Sequence, residues 1–77
     1  MKYAAEIISL MGAYPGRDWR MQDLVRHVAP VASPERRHSV RRSVFRVLVS
    51  LEDASVVMRM PSRSRGGYSI YRWKSET

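Results

Sequence analysis

Ser33-Pro34-Glu35-Arg36-Arg37-His38-Ser39-Val40-Arg41-Arg42-Ser43-Val44-Phe45-Arg46-Val47-Leu48-Val49-Ser50-Leu51-Glu52-Asp53 is the stretch on which the fold turns. Ser33 is a natural N-cap, Pro34 suits the first helical position, and Glu35 lies beside the positive end of the helix dipole. Val40, Val44, Val47, Leu48 and Leu51 then recur at i, i+4, i+7, i+8 and i+11, the stripe of a helix that packs one side on a core. The spacing predicts a helix over 34–53. At ~100° per residue, His38, Arg42, Arg46 and Val49 fall opposite that stripe, with Ser39, Arg41 and Phe45 on its shoulders. Arg36 and Arg37 return toward the stripe's own azimuth. Unpaired guanidiniums are too costly to bury. Either the first turn overhangs the core or the helix begins nearer His38, and both place these arginines at an exposed N-terminal end.

Downstream, residues 56–60 form a short β-branched and methionine run closed by Pro61. Ser62-Arg63-Ser64-Arg65-Gly66-Gly67 reads as a turn whose glycines accept positive φ. Residues 68–73 return with strict alternation: Tyr68, Ile70 and Arg72 on one face, Ser69, Tyr71 and Trp73 on the other. The pair predicts a β-hairpin. Upstream, Ala4, Ile7, Ile8 and Met11 mark a helix over 2–13, widened by Tyr3 and Leu10 and stopped by Tyr14-Pro15-Gly16. Residues 17–20 read as a connector anchored in the core by Trp19. Met21, Leu24, Val25 and Val28 mark a second helix over 21–29, broken at Pro30. The predicted class is α+β: three helices followed by a two-stranded hairpin, as one domain over 1–77.

With 77 residues the chain is too short for a doubly wound sheet or a β/α barrel. Its apolar runs fall far short of the ~20 residues that span a bilayer, and Glu6 interrupts any export signal, so no membrane role and a cytoplasmic location are expected. There are no cysteines, which excludes disulfides and cysteine-held zinc. His27 and His38 are too few for a metal site; His27 reads as a partly exposed helix residue. Glu52-Asp53 has no accompanying base, nucleophile or phosphate loop and reads as a balance for nearby arginines. Neither a cofactor nor an enzymatic activity is expected.

The net charge is +7, and twelve of the fourteen cations are arginine. Residues 36–74 carry ten cations against Glu52 and Asp53, whereas residues 1–35 are neutral overall. Arginine forks onto phosphate and onto the guanine edge, so this bias favours a nucleic-acid partner over an acidic membrane. A groove-reading helix needs one apolar side to hold it and one cationic side to read with, and 34–53 has both. On that basis His38, Ser39, Arg42 and Arg46 are the expected base contacts, Arg36, Arg37 and Arg41 the expected phosphate contacts, and Ser43 serves either. Arg63, Arg65 and Gly66 at the hairpin tip are expected on the backbone or in a narrow minor groove, with Arg59, Arg72 and Lys74 extending the basic strip.

The stretch from Pro15 to Val25, the run from Val40 to Val57, and Arg65-Gly66-Gly67-Tyr68-Ser69-Ile70 together resemble the winged helix-turn-helix DNA-binding domains. Size and layout are similar to the small single-domain regulators of fimbrial operons. The resemblance implies a recognition helix in the major groove, a hairpin wing, and a prokaryotic, plasmid or phage transcription regulator associated with the nucleoid. Two departures stand out: the stretch from Pro30 to Ser39 is longer than a common helix-to-helix turn, and Ala54-Ser55 stands where a glycine is usual. Double-stranded DNA is thus the expected partner, with a homodimer or a helper protein to extend the site. Phe45 and Val49 either make such a contact or lie under the first helix. The competing functions are an excisionase-like DNA-bending accessory factor, a protein-binding adaptor or inhibitor, and a binder of RNA or single strands. For that last class Tyr14, Trp19, Tyr68, Tyr71 and Trp73 would stack on bases rather than close the core.

Overall fold

The computed structural model describes residues 1–61 and 69–74. The elements run α1 (Ala4–Ala13), β1 (Asp18–Arg20), α2 (Met21–Val28), α3 (Pro34–Asp53), β2 (Val57–Met60) and β3 (Ile70–Trp73). Among the described residues the chain is therefore α+β, with three helices and an antiparallel sheet in the order β1-β3-β2. No helix among them is long and apolar enough to cross a membrane.

α3 spans the residues its punctuation predicts. The Ser33 hydroxyl accepts the Arg36 backbone N–H at 3.3 Å, and the Ser33 carbonyl accepts that of Arg37 at 2.8 Å. Val40, Val44, Val47 and Leu48 are buried and Leu51 is half-buried, so the apolar stripe is the anchoring side. Arg36 and Arg37 are exposed although the helix begins at Pro34. The first turn thus overhangs the core, which α3 meets only from Val40 onward.

The far end of α3 explains the missing glycine. Val56 N–H donates to the Leu51 carbonyl and Ser55 N–H to the Glu52 carbonyl, each at 2.9 Å. These are the two bonds of a Schellman cap, which needs a left-handed residue between them. Ser55 takes that conformation, at φ 61°. A side chain there costs about 1–2 kcal/mol, of which glycine's extra freedom in the unfolded chain returns a part. Ser55→Gly should therefore raise stability by about 0.5–1 kcal/mol, read as a higher urea midpoint; an unchanged or lower midpoint counts against the cap.

Residues 18–20 are not a plain connector. They form β1, pairing Asp18 with Arg72, Trp19 with Tyr71 and Arg20 with Ile70. Three residues are too few to display alternation, and the partner strand lies at the other end of the described chain. Only the inward Trp19 betrays the strand. The two-stranded hairpin of the sequence reading is accordingly the larger part of a three-stranded sheet, with β3 in the middle.

Ile7 and Met11 from α1, Trp19, Met21, Leu24 and Val25 join the α3 stripe, Val57 and Tyr71 in one core. Ile8 does not: it is 43% exposed. α1 packs on α3, α2 and β3 through one narrow side, and Ile8 points ~100° away from Ile7. Trp19 and Tyr71 are buried and Trp73 half-buried, whereas Tyr14 is exposed; Tyr68 lies outside the described residues.

Candidate nucleic-acid interface

α3 presents an exposed face rich in arginine. Arg36, Arg37, His38, Ser39, Arg41, Arg42 and Arg46 are all exposed, and Ser43 is half-buried at the edge of the stripe. The burial of Val40, Val44, Val47 and Leu48 on the opposite side turns His38, Arg42 and Arg46 outward, whereas Arg36 and Arg37 are exposed because the first turn overhangs the core. The ion pairs among the described residues are Arg59–Glu52 and Arg72–Asp18, so none of the α3 arginines is neutralised there.

α2 adds to this face. Arg37 and Arg41, one turn apart on α3, line a groove of about 330 Å³ with Gln22, Val25, Arg26, Ala29 and Pro30. Arg41 also borders a smaller recess, about 120 Å³, with Arg20, Met21 and Gln22. Arg20, Gln22 and Arg26 are exposed. Arg20 is the N-cap residue of α2, and its backbone N–H is held by the Asp23 carboxylate at 3.0 Å. These three residues are absent from the sequence-based site. The α2 pattern does put Gln22 and Arg26 on its outer side, but it says nothing of which α3 residues lie across from them. The neutral balance of the first 35 residues also hid two local cations.

Among its described residues the hairpin contributes less free charge than its arginine content suggests. Arg59 lies 3.5 Å from Glu52, with both side chains partly exposed. It also lies beside the buried Tyr71 hydroxyl. Burial raises that hydroxyl's pKa above its usual 10.0, an effect the Arg59 charge opposes. Arg72 directs Nε and Nη2 at one Asp18 oxygen, at 2.7 and 2.6 Å. Such exposed pairs are worth at most about 1 kcal/mol to stability, yet they leave Arg59 and Arg72 as partly neutralised members of the basic strip. Lys74 is exposed, and Arg63, Arg65 and Gly66 lie outside the described residues. Glu52 does balance an arginine, as the sequence reading expects. Arg17 is engaged differently, with its guanidinium 4.4 Å from the Trp19 ring and 5.6 Å from that of Tyr14. His27 is exposed on α2.

No family model, curated protein or solved structure matches the chain.

Proposed function

We propose that this chain is a sequence-specific binder of double-stranded DNA acting as a small transcription regulator. In this reading it is a winged helix-turn-helix domain, with α3 as the recognition helix and the β2–β3 hairpin as the wing. The observation that carries the proposal is the α3 face itself: exposed arginines without acidic partners among the described residues, on a helix anchored by its apolar side. A soluble helix kept basic only for its own stability gains from acids at i±4; none of the α3 arginines has an acid at i±3 or i±4.

His38, Arg42 and Arg46 occupy the outermost arc and fit base edges. Arg37 and Arg41 sit on the flank facing α2, where Arg20, Gln22 and Arg26 adjoin them, and fit phosphates. Arg42→Ala should cost about 1–3 kcal/mol on the preferred sequence and relax preference at one base pair. Arg37→Ala should weaken all duplexes alike and lower the salt slope by about one. Competition binding on matched and single-substituted duplexes separates the two. Identical losses on every sequence for both variants would refute this division of roles.

Selection of bound duplexes from a random pool tests the function. An enriched motif is the expected result, and two-fold symmetry within it would establish pairing of protomers on DNA. Failure to retard any duplex at low salt, or preference for single strands or RNA in competition, overturns the proposal. Capture of an acidic protein without duplex binding would identify an adaptor instead.

A further inference from the structure

The basic face of α3 is not uniformly polar. Phe45 is 43% and Val49 38% exposed, so neither lies beneath α1. Phe45 shares an open recess of about 330 Å³ with Met21, Arg41, Arg42 and Arg46. Its lining is one exposed phenylalanine, one nearly buried methionine and three arginines. An apolar protein surface seated there would have to bury those charges without partners, at high cost. The lining fits a ligand that offers a small apolar group framed by anions and hydrogen-bond acceptors. On a duplex, the major-groove edge of thymine offers a 5-methyl group, with phosphates and the O6 and N7 acceptors of neighbouring guanines around it.

We infer that Phe45, backed by Met21, is a specificity-determining contact for the 5-methyl group of a thymine, beside a guanine held by Arg42 or Arg46. This inference rests on the duplex-DNA reading and adds to it the identity of one base. It also separates roles within the face: arginines supply hydrogen bonds to guanine, and Phe45 supplies discrimination between thymine and cytosine, which lacks the methyl.

The test uses duplexes selected by the full chain from a random pool, resynthesised with each thymine replaced in turn by deoxyuridine. That change removes the methyl and keeps the base pair. At one position per bound protomer, affinity should fall about fourfold, the effect of one methyl-sized apolar group. Phe45→Ala should bind the thymine and deoxyuridine duplexes equally at that position, while Phe45→Leu should retain part of the difference. Equal affinity of the unaltered protein for thymine and deoxyuridine at every position, with duplex binding intact, overturns the methyl contact and leaves the DNA reading standing. Absence of duplex binding removes the DNA reading and the contact with it. If Phe45→Ala weakens both duplexes alike and shifts the free protein to a smaller species in sedimentation, the ring joins two copies of the chain and the inference falls.

Discussion

Raising monovalent salt from about 50 to about 200 mM should weaken duplex binding by roughly 250- to 1,000-fold. The figure follows from neutralising about five phosphates, for which log K falls with log salt at a slope near −4 to −5. Enough cations are on hand to do so. Arg36, Arg37 and Arg41 on α3 are exposed, with Arg20 and Arg26 beside them, five cations apart from the base-reading Arg42 and Arg46. Arg59 and Arg72 should add little, because releasing each from its carboxylate offsets what a phosphate offers. Asp18→Asn would free Arg72 and should steepen the slope slightly. A titration of fluorescently labelled duplex at several salt concentrations measures this directly. A slope near zero would mean that phosphates are not what α3 meets, and the functional reading would fail.

Trp19→Ala should remove about 3–5 kcal/mol of stability. A domain of this length has roughly 4–11 kcal/mol in total, so the variant should be largely unfolded at modest denaturant. The reason is the placement of one indole. Trp19 is 7% exposed and is the inward residue of a three-residue strand whose neighbours face out. Its loss opens a cavity between the sheet and the helices and frees β1 from β3, opposite Tyr71. The indole Nε1 is buried without a hydrogen-bond partner among the described residues. Trp19→Phe therefore sacrifices volume but no hydrogen bond, and should cost far less than the alanine change. Urea unfolding followed by circular dichroism separates the two; a cost below about 1 kcal/mol for Trp19→Ala would contradict a core role for β1.

Legibility in the sequence followed the range of the forces involved. The extent of α3 was readable because its start is set locally, by Ser33 and Pro34, although the overhang of its first turn and the left-handed cap at Ser55 were not. The exposure of its arginines followed from periodicity and the cost of burying charge. β1 was not readable, since Asp18–Arg20 becomes a strand only by pairing with Ile70–Trp73. The same holds for the Arg72–Asp18 ion pair. Nothing in the sequence joins Asp18 to Arg72, yet the register sets them directly opposite. Ile8 fitted the periodic pattern of α1 and is exposed all the same, because pattern gives a helix its apolar side but not the width that neighbours will cover. The spacing of the apolar residues in α2 puts Gln22 and Arg26 on its outer side, while their position across from Arg37 and Arg41 depends on how α2 meets α3.

The strand order has a consequence for assembly of the molecule. β3 is the last of the described elements and lies at the centre of the sheet. The two outer ribbons, more than thirty residues apart along the chain, have no pairing with each other and wait on a single late segment to close both seams. A chain cut before Ile70 therefore loses both described ladders at once rather than one, and leaves two open edges in place of a keystone.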